Sequence, residues 1–457
     1  MSTPSLLVAE PGPGPTLTTD PPGADRLAAL APAFRAAADA YATPQYVTDL
    51  ATLDRCAAEV ESAFPPPWLR QYSLKANGLP GLVRRLARQG WGGNVVSAGE
   101  WRLARRAGLP NAAISFEGIG KTDSELRMAV RAALDGQPLR WLSVESADEL
   151  QALIRQAQSL DAGWHGQPSV GVLVRLNPQV EPETTAGLAV GRMSSKFGLT
   201  AGEVRQLSRA GAFDDPGICL RGVHVHVGSQ LAGVRAWTDG ARAALEVWAQ
   251  LREQWGDHVD TIDFGGGFPS GANPSHPPMS YLEDVGRAAD EKGSRVPGPA
   301  AFRRALDDLI ADQKLALPPY LAIEPGRHVV AASGWILARV LHVRYRGGRQ
   351  QAVIDAGMTE LIRPALYGAR HPVHLVSGGG PGELLETAVE GPVCESSDSL
   401  GVHWLPALRR GDLVAISDSG AYASAAATRY NGRPRPAEVF LHPGGDIELA
   451  RAGEQVS

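Results

Sequence analysis

Cysteine is scarce in this chain: Cys56, Cys219 and Cys394 stand alone among 457 residues. No two share a spacing suited to a tight disulfide clip or a zinc knuckle, which excludes a disulfide framework and a metal site of that kind. Basic blocks are also missing. Lys and Arg number 44 against 49 acidic residues, a net charge of −5, and that balance carries no electrostatic footprint for a nucleic acid. No uninterrupted apolar run is long enough to span a bilayer, and the start lacks a basic region followed by an apolar core. These absences point to a soluble, cytoplasmic chain with neither membrane nor nucleic acid as partner. What is present is ample core material, 44% hydrophobic, and a length that suits two or three domains, or one barrel with an addition.

Residues 1–24, rich in Pro, Gly and Thr without apolar periodicity, read as a disordered leader. Residues 25–44 are mostly an Ala/Leu-rich helix, a segment expected to pack on a later domain. From residue 45 a regular beat begins, with short apolar strands at 45–48, 71–77, 93–96, 113–116, 142–144, 171–176, 222–227, 261–264 and 320–323. Helical stretches lie between most of them. Alternation at this spacing means a parallel sheet, and about eight units over 45–334 predict an α/β fold of the (β/α)8 TIM-like barrel type. Residues 270–298 read as an insertion in a loop of that barrel, and 162–169 as a smaller one. After 335 the rhythm changes to strands at 335–345, 351–355, 374–376, 412–416 and 437–441, so 335–457 is expected to be a mostly β domain.

Chemistry concentrates at strand ends. In the run Gln-Tyr-Ser-Leu-Lys-Ala-Asn (71–77), alternation puts Tyr72 and Leu74 on one face and Ser73 and Lys75 on the other. A lysine turned inward there is suited to imine chemistry, because burial frees its lone pair; alone it reads equally as a surface lysine at a strand end. Val-His-Val-His-Val-Gly-Ser-Gln (223–230) alternates cleanly, so that His226 could stack on a flat cofactor ring and Ser229 could reach a phosphate. Gly265, Gly266 and Gly267 follow a strand and suit an anion-binding nest of backbone N–H groups. Glu324-Pro-Gly326-Arg327 ends the next strand, offering an acid for a pyridine nitrogen and a guanidinium for an anion, or else a surface salt bridge. Cys394 and Glu395 share a polar turn with Asp398, an unusual setting for an inert core thiol. Gly-Ala-Tyr422 reads alone as a simple turn.

Together these stretches resemble the fold-type III decarboxylases that use pyridoxal 5'-phosphate, and most closely the diaminopimelate decarboxylases, over roughly residues 43–445. The resemblance implies an enzyme of amino-acid metabolism, a carboxy-lyase of lysine biosynthesis, acting as a homodimer with shared active sites on a small amino-acid substrate. Lys75 then carries the cofactor, with Arg175, His226, Ser229, Gly265–Gly267, Glu324, Gly326, Arg327 and Tyr422 around it. Arg327, Arg363, Tyr367, Glu395 and Tyr422 hold the substrate, and Cys394 is the catalytic thiol that, with Glu395, one subunit lends to the other. Departures fall in the substrate region: residues 183–192 replace the usual Thr-His and Ile-x-Thr-Gly segments, Asn94 stands for an aspartate, and Gly118-Ile-Gly-Lys121 replaces Gly-Asn-x-Lys. They leave open a decarboxylase of a modified, D-configured or carrier-attached amino acid, and, in another class, a non-catalytic regulator of the same fold.

Overall fold

The computed structural model describes residues 24–160, 169–270, 296–314, 316–378 and 383–455. Nearly all of the expected leader at 1–24 and of the two expected insertions, at 162–169 and 270–298, lies outside these residues. Strand β1 (Gln45–Asp49) is followed by eight strands that close a parallel barrel: β2 (Leu69–Ser73), β3 (Gly92–Val95), β4 (Ile114–Phe116), β5 (Trp141–Val144), β6 (Val170–Leu176), β7 (Ile218–Val225), β8 (Thr261–Asp263) and β9 (Tyr320–Ile323). A mixed sheet then takes β10 (Gly334–Arg346), β11 (Arg349–Ile354), β12 (Val373–Ser377), β13 (Leu385–Glu390), β14 (Ser399–Leu405), β15 (Leu413–Ile416), β16 (Ala437–Leu441) and β17 (Ile447–Arg451). The barrel and the mostly β second unit are the architecture that the alternating pattern predicts.

One strand changes sides. The sequence reading opens the barrel at residue 45, but β1 lies in the second sheet, antiparallel to β10 and parallel to β16. Its two faces meet two apolar clusters: Tyr46 packs with Ile336, Ile354 and Ile416, and Val47 with Phe34, Trp335 and Val439. A strand buried on both faces shows no alternation that would assign it to one sheet or the other. The helix Ala24–Tyr41 covers this region, with the Phe34 ring 5.3 Å from that of Trp335.

Lys75 also departs from expectation. β2 stops at Ser73, and Leu74–Ala76 form a single 3₁₀ turn. Three bonds draw the chain off the sheet: Tyr72 Oη donates to the Asn77 carbonyl at 2.9 Å, Leu79 N–H donates to Asn77 Oδ1 at 3.1 Å, and Tyr422 N–H donates to the Ala76 carbonyl at 2.8 Å. The turn is thus tied both to its own flank and to the second unit. Beneath the far side of the barrel mouth, Phe264 and Phe268 bracket the glycine loop and bury themselves against Trp237, at 5.8 and 6.2 Å, and Phe302, 5.0 Å from Phe268. Each such ring contributes about 1.5–3 kcal/mol by burial, so the loop between them is clamped at both ends.

Candidate active site

Parallel barrels deliver functional groups at the C-terminal ends of their strands, and this one does so in a ring. Lys75 follows β2, Asn94 lies on β3, Glu117 follows β4, Glu145 follows β5, Arg175 lies on β6, His224 on β7, Asp263 on β8, and Glu324 follows β9. Lys75 is half-buried, and its charge reaches His226, His224 and Glu100.

Glu324 is buried and accepts a short hydrogen bond from Asn94 Nδ2. Its Oε2 lies 3.6 Å from His224 Nε2, which itself lies 3.1 Å from Glu117 Oε2. Burial, then the charge of Glu324, holds the Glu117 carboxyl well above the usual range, and Asp263 is raised for the same reasons. Burial pushes His224 down to about 4, so the imidazole is neutral. His226 is pushed down as well, by burial first and then by Lys75; it accepts the Gly266 N–H at Nδ1, 3.0 Å away. A neutral, edge-anchored imidazole suits a flat ring.

The glycine loop is obligatory. A Cβ at Gly265, where φ is +67°, would sit 2.4 Å from the Val225 carbonyl oxygen, and one at Gly266 would sit 2.5 Å from that of Glu324. The nest expected from three successive free N–H groups is corrected, however. Gly265 N–H already donates to Asp263 Oδ1 at 2.9 Å and Gly266 N–H to His226. Two of the three donors therefore brace the loop rather than face a ligand.

Arg175 pairs with Glu145 at 2.5 Å and stacks on Phe197, its guanidinium 4.6 Å from the ring centre. The other two arginines of the site are unlike it. Arg327 donates to Ser229 Oγ at 3.2 and 3.1 Å and lies 4.8 Å over the Tyr422 ring. Arg363, at the start of the short helix Arg363–Tyr367, lies 5.8 Å over Tyr367 and 5.9 Å over Tyr422. Both are 7% exposed, and among the described residues neither meets a carboxylate. Burial lowers both, and the charge of Arg327 helps bring Arg363 to about 10. Two buried guanidinium groups without an acid call for an anionic ligand. Tyr422, the ring they share, is held at φ +58°, a region costly for a bulky residue and often kept for function.

Cys394 and Glu395 are not brought to this cluster. Both are exposed, and Glu395 Oε1 accepts from Tyr430 Oη at 2.6 Å. Asp398 is buried instead, taking N–H groups from Met358 at 2.5 Å and Val393 at 2.7 Å, so it shapes the loop. The sequence reading passed over Glu117 and Glu145. The signal for both was there, an acid directly after a short apolar strand.

A half-buried amine, a neutral flat imidazole, a tight glycine loop, a buried acid and an unneutralised guanidinium pair fit pyridoxal phosphate. The family model for the pyridoxal binding domain of pyridoxal-dependent decarboxylases matches residues 50–331. The chain belongs to this decarboxylase family. Relatives agree along nearly its whole length. Diaminopimelate decarboxylase of Deinococcus radiodurans is 34% identical over 424 residues, 92% of this chain and 96% of the relative. That of Vibrio cholerae is 32% identical over 421 residues, 92% of each. The crystal structure of the Helicobacter pylori diaminopimelate decarboxylase complexed with L-lysine superposes with a TM-score of 0.77 at 28% identity, covering 90% of this chain and 94% of that one. The family's cofactor is therefore the cofactor here, and the barrel mouth is where these residues would hold it. Among the described residues no helix is long and apolar enough to cross a membrane.

Proposed function

We propose that this decarboxylase removes one carboxyl group of meso-2,6-diaminopimelate, giving L-lysine and CO2. The bond from Cα to the carboxyl breaks, its electron pair stays on Cα, and a proton takes the place of the lost group. Pyridoxal phosphate, when bound, supplies the electron sink for that pair. Lys75 would anchor the cofactor through its amine. Glu324 would keep a proton on the ring nitrogen, His226 would pack on the ring, and Ser229, Gly326 and Arg327 would hold the phosphate. Arg175 braces the site through Glu145.

The observation that carries the substrate is the pair Arg327 and Arg363 around Tyr422, which meets no carboxylate among the described residues. Diaminopimelate keeps a second carboxylate at its far end after one is lost, and Arg363 with Tyr367 would grip it. L-Lysine or L-ornithine would leave that guanidinium buried and unmet. Cys394 and Glu395, exposed in this chain, act in the site of a second copy: the thiol returns the proton to Cα, and the carboxylate meets the distal ammonium. The reading is thus of a homodimer. Three free cysteines support a reducing, cytoplasmic setting.

The test is to give the purified, cofactor-loaded protein meso-diaminopimelate, L-lysine and L-ornithine in parallel and to identify products by mass spectrometry. Lysine from the first and no amine from the others is expected. Bound cofactor with no lysine would favour a second reading, a modified or D-configured amino acid. That reading draws on the unusual segment 183–192, which lies on the site: Thr184 Oγ1 donates to the Ser229 carbonyl at 2.7 Å, and a Cβ on Gly187 would meet the Tyr367 ring at 3.1 Å.

A further inference from the structure

Glu117 has no part in the reading above, yet it is buried to 3% exposure in the floor of the site. Its Oε1 accepts from Ser143 Oγ at 3.3 Å. Its Oε2 shares a space with His224 Nε2 and a Glu324 oxygen, all within 4.8 Å of one another. His224 does not take a proton from it in the usual way, because neither ring nitrogen has an aligned hydrogen-bond partner despite the 3.1 Å approach. Asp263, with Oδ2 unpartnered, adds a third buried acid. The nearest cations are already occupied or outside: Arg175 is paired with Glu145, and Lys75 stands at the cofactor position. Three carboxyls packed this closely cannot all be ionised, and a carboxyl pair in contact shares a proton.

We infer that Glu117 is a positioning residue for the cofactor's ring nitrogen: it stays protonated beside Glu324 and directs the single negative charge of the pair at that nitrogen. The inference rests on the placement of Glu324 proposed above. Asn94 donates to the same carboxylate from the other side, and Asp263, its carboxyl also raised by burial and Glu324, lies beside it, so Glu324 is ringed by neutral groups and its charge is left to meet a proton on the cofactor side. Were Glu117 ionised instead, it would repel Glu324 and draw the shared proton onto it, which would leave the ring nitrogen bare.

The two cases predict opposite behaviour in a pair of variants. Glu117→Gln keeps the shape and an N–H donor but cannot ionise; Glu117→Met keeps the volume and removes the donor. With ring-labelled ¹⁵N pyridoxal phosphate bound, the nitrogen resonance of Glu117→Gln is expected to remain at the protonated position of the parent, with cofactor affinity within about threefold. That of Glu117→Met is expected to move towards unprotonated pyridine, with affinity weaker by roughly tenfold or more, the loss typical of a hydrogen bond to a charged group. A Glu117→Met resonance unchanged from the parent overturns the inference, and so does a Glu117→Gln resonance that moves with Glu117→Met. Glu324→Gln separates the two levels. If it moves the resonance while Glu117→Met does not, only the role of Glu117 falls; if it leaves the resonance unmoved, the placement of Glu324 falls with it.

Discussion

Replacing Arg363 with Met should leave the fold as stable or more so while disabling substrate capture. In the free protein the guanidinium is 7% exposed, has no carboxylate partner among the described residues and is held at about 10, chiefly by burial. A charge so displaced from the ordinary arginine range has lost on the order of 3 kcal/mol of its advantage on folding. Methionine relieves that cost and gives up the contacts with the Tyr367 and Tyr422 rings, about 1 kcal/mol together. The balance is a gain of about 1–2 kcal/mol, or a melting temperature raised by a few degrees at most for a chain of this size. Substrate binding moves the other way. Truncating one partner of a buried charge pair costs about 2–5 kcal/mol, so kcat/KM on diaminopimelate should fall by roughly two to three orders of magnitude. Thermal unfolding followed by tryptophan fluorescence and lysine release followed by mass spectrometry read the two effects separately. A variant that melts several degrees lower and loses less than about tenfold in kcat/KM would show that Arg363 is a structural cation, and the argument from unneutralised charge would fail.

Lys75→Ala should bind no cofactor that borohydride can fix to the chain, and peptide mapping of the parent should find the label on Lys75; a label elsewhere refutes the assignment. Gly266→Ala drives a methyl group to 2.5 Å from the Glu324 carbonyl oxygen, so the loop must shift, and cofactor affinity should drop by about tenfold or more in an equilibrium titration of the visible band. His371 is buried, and burial brings it down to about 3 from an ordinary 6.5. It is neutral in the folded chain, and the unfolded chain binds the extra proton below 6.5, so its contribution to stability falls as pH drops from about 6.5 towards 3. Urea unfolding of the parent and His371→Asn should therefore diverge between pH 7 and pH 5, with the variant relatively better by about 2 kcal/mol at the lower pH; parallel curves would refute it.

The barrel was legible because its strands are short, apolar and separated by helices, and the site because its motifs end those strands. What stayed hidden had physical reasons. β13, β14 and β17 are half-exposed, with burial alternating only loosely, so no apolar pattern announces them. β1 is buried on both faces, which erases the alternation that would place it. The 3₁₀ turn at Lys75 depends on Tyr422, more than three hundred residues away, a partner that local propensity cannot foresee. Glu117 was passed over because an acid after a strand usually faces water. It becomes informative only when His224 and Glu324 are seen beside it.

The residues proposed to hold the cofactor and those proposed to hold the substrate come largely from different units. Lys75, His226, the glycine loop and Glu324 all come from the barrel, whose strands constrain one another. Arg363, Tyr367 and Tyr422 come from the second unit, joined to the barrel where Asn77 Nδ2 donates to the Gly420 carbonyl at 3.2 Å and Tyr422 N–H to Ala76. At that seam Gly420 approaches Val330 so closely that a Cβ on Gly420 would lie 1.8 Å from the Val330 carbonyl oxygen. The seam fixes Tyr422 against the barrel, yet Arg363 and Tyr367 hang from a short helix beyond it. Residues 183–192 fill the space between, bonded to the Ser229 backbone on one side and packed against Tyr367 on the other. A change in that segment reshapes the far end of the cleft without touching Lys75 or Glu324. Grafting the corresponding segment of the Deinococcus radiodurans relative into this chain should therefore alter KM for diaminopimelate far more than cofactor affinity, with the cofactor band retained. Loss of the band in such a chimera would show that the two shells are one, and that the segment supports the cofactor as well as the substrate.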